Sequence, residues 1–179
     1  MSGIIKIQYY DSPYGNLIIG SYKDKLCLCD WNFRKHREMI DSRLQKGLNV
    51  SYEEKTSTIV QQTINQLEEY FTKQRTEFDI PLLFVGTDFQ KEVWNTLLKV
   101  PFGKKETYGG LSKRMNNPNA VRAVAAANGA NAISIIVPCH RIIGNNNQLT
   151  GYAGGLQAKK KLLELESLLR TPCLDLFQK

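Results

Sequence analysis

Ile133-Ser134-Ile135-Ile136-Val137-Pro138-Cys139-His140-Arg141 places an apolar run ahead of a proline, a thiol and two potential cations. The run reads as a short buried strand, and Pro138, which offers no backbone N–H, stops it. Cys139 then stands at a strand end beside His140 and Arg141, where positive charge favours a thiolate. A free cysteine has a pKa of about 8.5, and a nearby cation lowers it enough for nucleophilic attack at neutral pH. The competing reading is a small buried hydrophobe, the commoner use of such a cysteine. Consecutive residues of an extended chain point to opposite sides, so His140 meets the sulfur only if the backbone turns there or a water bridges them. The bridged arrangement suits a general base acting at one remove.

Downstream, a polar loop from Gly144 to Gly155 leads into a helix predicted from Leu156 to about Arg170. Leu162, Leu163, Glu166 and Leu169 share one face of it by three- and four-residue spacing. A carboxylate inside an apolar stripe needs a partner, and His140 is an attractive donor for Glu166. Alternatively, Glu166 sits at the edge of the stripe and reaches into water.

Upstream, Thr87-Asp88-Phe89-Gln90 forms a capping box, and a helix follows to about Lys99 with Phe89, Val93, Trp94, Leu97 and Leu98 in one stripe. A short helix is expected near Gly110 to Met115, then a turn at Asn116-Asn117. A second helix follows, with Asn117 as its cap, Pro118 in its first position and its end at Asn128-Gly129. Two short helices joined by a tight turn are a helix-turn-helix candidate. The second carries Arg122 among Ala120, Val121, Ala123, Val124, Ala125, Ala126 and Ala127, a smooth surface with one long cation.

The first third alternates apolar and polar residues in Ile4 to Tyr10, Leu17 to Tyr22 and Leu26 to Trp31, with turn formers between, which predicts an antiparallel β-meander. Thr58 to Phe71 repeats apolar residues at helical spacing and would cover one sheet face. The fold class is therefore α+β: an N-terminal domain, 1–85, of β-meander plus helix, then a mainly helical C-terminal domain, 86–179, with a helix-turn-helix.

Lys+Arg and Asp+Glu number 11 and 11 through Val85 but 13 and 6 beyond it, so the whole net charge of +7 belongs to the second half. From Thr107 through Leu163 there is no acidic residue, while Lys113, Arg114, Arg122, Arg141, Lys159, Lys160 and Lys161 all fall there. Such a segment fits a surface that meets phosphates, or else a basic solvated face without a partner. The start of the chain lacks the pattern of a secretory signal, and no apolar run approaches membrane-spanning length. The expected location is the cytosol, with no membrane partner, and the four cysteines are expected as free thiols.

Ile136-Val137-Pro138-Cys139-His140-Arg141-Ile142-Ile143-Gly144 resembles the active-site signature of the O6-alkylguanine-DNA alkyltransferases, the methylated-DNA–protein-cysteine methyltransferase family. The similarity extends through Phe89 to Trp94, Thr107-Tyr108-Gly109, Asn117 to Asn131 and Gly151 to Leu156, covering nearly all of residues 86 to 169. It implies direct-reversal DNA repair, without a cofactor, in which Cys139 accepts the alkyl group once and is activated through a water by His140, itself oriented by Glu166. Tyr108 would donate a proton to the departing purine, and Arg122 would fill the gap left by a flipped nucleotide.

The resemblance also implies docking of the helix-turn-helix in the minor groove, with Ala123 on the approaching surface and Lys113 and Arg114 at the DNA. Asn131 would brace the active-site turn, and Ile142, Tyr152 and the backbone near Ala153 would form the guanine pocket. Some relatives carry serine at the Ala153 position, so here an O6 contact would come from a backbone amide. The implied partner is double-stranded DNA containing O6-alkylguanine, with O4-alkylthymine a further candidate, bound by a monomer. It would lie near the nucleoid in a bacterium or archaeon and in the nucleus of a eukaryote. Some relatives hold a structural zinc, but Cys27, Cys29 and His36 lack a fourth ligand and a common zinc spacing, so no metal is expected. A cysteine hydrolase would need an acyl intermediate that water clears, and a pure DNA-binding module would leave Tyr108, Cys139, His140 and Glu166 without a joint role.

Overall fold

The structure, a computed structural model, describes residues 3–168; Leu169, Arg170 and Cys173 lie outside the described residues. The expected meander forms from β1 (Ile4–Ser12), β2 (Gly15–Tyr22) and β3 (Lys25–Trp31), paired antiparallel in turn. A fourth strand, β4 (Ser51–Glu54), joins β1 in parallel and completes the order β3-β2-β1-β4. Parallel neighbours need a crossover, and α1 (Arg37–Leu48) supplies it. Neither α1 nor β4 stands out in the sequence, because α1 buries only Ile40 and Leu44 and β4 exposes three of its four residues.

The β2–β3 register runs from Gly20↔Leu28 to Ser21↔Leu26, leaving Cys27 as a bulge. Residues two apart on a regular strand share a face; the bulge breaks that rule for Cys27 and Cys29. Cys27 packs with Ile5, Ile7, Ile40 and Leu44, whereas Cys29 joins the main core with Leu17 and Leu67. Burial pushes both thiols up, Cys27 to about 12, so neither favours a thiolate. His36 stays at the surface.

The amphipathic helix α2 spans Thr58–Phe71, capped by Ser57, and buries Ile59, Val60, Thr63, Ile64, Leu67 and Tyr70. The capping box closes α3 (Asp88–Leu97), with Thr87 Oγ1 accepting from Gln90 N and Gln90 Oε1 accepting from Thr87 N. Beyond it lie β5 (Glu106–Thr107), α4 (Tyr108–Arg114), a 3₁₀ turn at Pro118–Ala120 and α5 (Val121–Gly129). The α4–α5 pair is the expected helix-turn-helix. Asn117 precedes Pro118 but makes no side-chain cap, a departure from its expected role; its carbonyl instead accepts from Ser112 Oγ. After a 3₁₀ turn at Cys139–Arg141, β6 (Ile142–Ile143) pairs in parallel with β5, and α6 covers Gly155–Leu168.

One core cluster runs from Leu17 and Ile19 in the sheet, through α2 and α3, to Leu162 and Leu165 on α6, so the sheet and the helical half share one apolar interior. Trp31 at the end of β3 meets the helical half directly. Its ring meets Tyr152 edge-on at 5.9 Å, and a Cβ on Gly154 would lie 2.3 Å from it. Gly154→Ala should therefore cost about 1–3 kcal/mol, as overpacking of a filled interior does. Urea unfolding would measure it; a variant as stable as the parent would show that this contact is slack.

Candidate active site

Residues 133–137 form a turn and not the expected strand. Only Ile133 bridges to β3, through Cys29; Ser134 N donates to Cys29 O at 2.6 Å, and Val137 N folds back to Ile133 O at 3.0 Å. Ile135 has φ 72°, a left-handed conformation costing a β-branched residue roughly 1–3 kcal/mol. Every side chain of the run is buried whether it is strand or turn, so the hydrophobic pattern could not separate the two. Asn131 holds the turn in place. Its Nδ2 donates to Ile133 O at 3.2 Å, Val137 O at 3.1 Å and Cys139 Sγ at 3.2 Å, while its Oδ1 accepts from Ile133 N at 2.9 Å.

Cys139 is 3% exposed. Burial pushes its thiol up while the Asn131 amide pulls it down, and burial wins, so the resting group is a thiol. Its chain neighbours do not supply the positive charge the sequence suggested. Arg141 turns to Glu166 and to Val100 O, and burial holds His140 below its ordinary value, in the neutral form. Nucleophilic use of this sulfur would therefore need a base to take the thiol proton.

Glu166 on α6 is fully buried and is no edge residue. Its Oε1 lies 2.7 Å from His140 Nε2, 2.9 Å from Tyr70 Oη and 3.0 Å from Arg141 Nη2. Its Oε2 accepts from Arg141 Nε at 2.9 Å and Gly103 N at 3.1 Å. Burial alone would raise this carboxyl, but His140 and Arg141 outweigh it and hold it at about 2. An ionised Glu166 fixes the tautomer of neutral His140: Nε2 carries the proton and donates it. Nδ1, which makes no hydrogen bond among the described residues, keeps its lone pair.

A cavity of about 310 Å³ opens beside this group, walled by Tyr108, Asn128, Gly129, Tyr152, Ala153 and Arg34 among others. Tyr152 links the cavity to the His140–Glu166 pair, its ring 6.4 Å from that of His140. Tyr108 begins α4, and its hydroxyl accepts from Thr150 Oγ1 at 3.3 Å. Ile142, expected in the pocket, is fully buried and lines none of this cavity; its carbonyl accepts from Lys159 Nζ. On α5, Arg122 and Ala123 face outward.

The basic segment is less free than its composition suggests. Arg141 and Lys159 are buried, and Arg114 pairs with Glu106 at 2.9 Å, whereas Lys113 and Arg122 stay exposed. Lys159 ties the pocket loop together, donating to Ile142 O and, at 2.9 Å, to Thr150 O, and burial lowers its ammonium to about 8. The spacing of Lys159 with Leu162, Leu163 and Glu166 was the available sign of its burial. Nothing local marked Tyr70, which comes to Glu166 from 96 residues away.

Residues 5–84 match the 6-O-methylguanine DNA methyltransferase, ribonuclease-like domain, and residues 88–168 match the DNA binding domain of the same name. A methylated-DNA–protein-cysteine methyltransferase of Methanosarcina acetivorans is 41% identical over 157 residues, covering 88% of this chain and 95% of that protein. The chain belongs to the 6-O-methylguanine DNA methyltransferase family. Among solved members, the O6-methylguanine methyltransferase of Mycobacterium tuberculosis superposes with a TM-score of 0.79 at 37% identity, over 94% of this chain and 96% of that one. The same protein in complex with DNA superposes at 0.78 with 36% identity, over 93% of this chain and 94% of that one.

In this methyltransferase the depressed Glu166 carboxyl should govern acid stability. A folded value of about 2 against an ordinary 4.5 gives stability that is complete above about pH 4.5 and is lost as pH falls toward 2. The difference is on the order of 3 kcal/mol. Glu166→Gln should be less stable at neutral pH, because Arg141 is left buried without its counter-charge, and should lose less on acidification. Denaturant titrations at pH 7 and pH 3 would test this; equal losses in parent and variant would contradict it.

Proposed function

We propose that this protein repairs DNA by direct reversal, moving the alkyl group from O6 of guanine to Sγ of Cys139. The observation that carries this reading is a buried thiol held by Asn131, followed in the chain by a neutral imidazole that an ionised Glu166 anchors, with Tyr152 linking that imidazole to a cavity it rims together with Tyr108. The thiol proton passes through a bridging water to His140 Nδ1, and Glu166 stabilises the imidazolium that results. The thiolate attacks the alkyl carbon, forming an S–C bond as the C–O6 bond breaks. Tyr108 gives its proton to the purine ring, which takes up the negative charge as guanine leaves. The product is a thioether, which water does not clear, so each molecule reacts once. No metal or organic cofactor takes part.

The target atom lies inside a stacked duplex and must be flipped into the cavity. The exposed face of α5, with Ala123 small enough for close approach, lies in the minor groove, and Arg122 fills the space the nucleotide leaves. Lys113 meets phosphate, and Arg114 joins it by exchanging Glu106 for the backbone. Ala153 lacks a side-chain donor, so its backbone amide contacts O6. The protein acts as a monomer on double-stranded DNA.

Cys139→Ala should abolish transfer while leaving duplex binding unchanged, since the thiol makes no phosphate contact; a gel-shift titration beside a transfer assay would show both, and joint loss would count against the assignment. Arg122→Ala should slow repair of duplex DNA more than reaction with a free O6-alkylguanine base. Equal slowing would remove Arg122 from flipping. With His140 as base, the transfer rate should hold steady around neutral pH and fall as pH drops through the lowered His140 pKa. A rate that climbs through neutrality with thiol ionisation alone would exclude that role.

A further inference from the structure

Asp30, near the end of β3, is a fully buried carboxylate that the transfer chemistry does not use. It accepts from Arg34 Nη1 at 2.7 Å, Arg37 Nη1 at 3.1 Å and, from the cysteine turn, Ser134 Oγ at 3.0 Å. Arg34 does not stop at Asp30. Its Nη1 also donates to Asn131 O at 3.0 Å, and its Nη2 donates to Gly129 O at 2.6 Å. Arg43 takes the carbonyl between them, Ala130 O, at 2.7 Å. Three consecutive carbonyls at the C-terminal end of α5 are therefore held by arginines from the sheet half. Carbonyls at a helix end lack intrahelical donors and carry the negative end of the helix dipole, so guanidinium groups fit them well.

Asn131 turns this into a connection with the sulfur. Its backbone carbonyl is held by Arg34, and its side chain donates to Cys139 Sγ and to Val137 O. Arg34 also walls the cavity that contains Tyr108 and Tyr152. We infer that Arg34, locked in place by Asp30, is a positioning residue for alkyl transfer: it sets the Asn131 amide against the Cys139 sulfur and fixes the end of the helix that carries Arg122. The inference rests on the transfer reading and gives the N-terminal half a part in it. A lysine could pair with Asp30 but could not span a carboxylate and two carbonyls, because only the planar fork of arginine presents several donors in fixed directions.

The charged and titratable groups facing the sulfur are Asp30 and Arg34 from the sheet side, Lys159 from α6, Tyr152 from the pocket loop, and His140 with its partners Glu166 and Arg141. Removing Arg34 leaves Asp30 less opposed, and loosening Asn131 weakens the one hydrogen bond that favours the thiolate; both changes move the Cys139 thiol upward. Arg34→Lys keeps the charge and so isolates the geometric part.

The test uses the full chain as parent, Arg34→Ala, Arg34→Lys, and the surface control Arg75→Ala. Two rates at Cys139 are followed from about pH 6 to pH 10, across the ordinary thiol range: transfer from free O6-benzylguanine and modification by iodoacetamide, both located by peptide mass spectrometry. Arg34→Lys should melt near the parent temperature yet transfer about tenfold or more slowly, as misplacement of reacting groups does. Its iodoacetamide profile should be displaced to higher pH, and that of Arg34→Ala further still, while Arg75→Ala matches the parent. A folded Arg34→Lys with the parent's rates and pH profile would overturn the inference, and this variant decides the matter even if Arg34→Ala does not fold. A parent that reacts with iodoacetamide but takes nothing from O6-benzylguanine would sink the transfer reading, while the displaced profile would still decide the role of Arg34.

Discussion

A carboxylate removed from water has to be surrounded by donors, and the enclosure of Glu166 organises the molecule. Its five hydrogen bonds come from Tyr70 on α2, Gly103 in the loop after α3, and His140 and Arg141 in the cysteine turn. Those elements span both halves of the chain, so packing α6 against the core and assembling the relay are one event. The ion pair with Arg141 is also what frees His140 to stay neutral: with the carboxylate charge already matched by a guanidinium, burial keeps the imidazole unprotonated. In the proposed transfer a neutral imidazole serves a thiol that itself rests protonated.

The site thus stores reactivity in position more than in charge. Cys139 is not a thiolate waiting for substrate; it is a buried thiol aimed by Asn131 at the end of a strained turn, with Ile135 in the left-handed region. The strain persists because Asn131 ties the turn at three backbone atoms and Ser134 is held by Asp30 and by Cys29 O. In the proposed reaction, burial slows indiscriminate alkylation of the thiol and favours a base lodged in the adjoining cavity. In the proposed reaction the same close packing must then hold an added alkyl group, a crowding that suits a protein used once.

Elements whose stabilising contacts are local in sequence were legible there. The β1–β3 meander, α2, the Thr87–Gln90 box and the α4–α5 pair all follow from alternation, helical spacing and caps, whereas a carboxylate in an apolar stripe left two readings for Glu166, a bond to His140 or an edge position in water, and the fold takes the first. What the sequence concealed depends on distant partners or on ambiguous patterns. The run Ile133–Val137 is buried as a turn just as it would be as a strand. The bulge at Cys27 changes its side of the sheet without altering composition. Lys159 and Arg141 counted as surface cations until the fold buried them against carbonyls and Glu166. Asp30 and Ser134 meet across 104 residues, and no window of local sequence contains both. The family resemblance supplied roles for Cys139, Tyr108 and Arg122, whereas the part of the sheet half in bracing them emerges only from the three-dimensional contacts of Arg34 and Arg43.

In the proposed reaction a single sulfur accepts a single alkyl group. Intact-protein and peptide mass spectrometry during incubation with excess duplex containing O6-methylguanine tests it directly. The expected gain plateaus at one methyl per molecule, mapped to the peptide bearing Cys139, with guanine restored in an equal amount of DNA. Restoration continuing beyond one equivalent, or a methyl group on Cys27, Cys29 or Cys173 in place of Cys139, would contradict it.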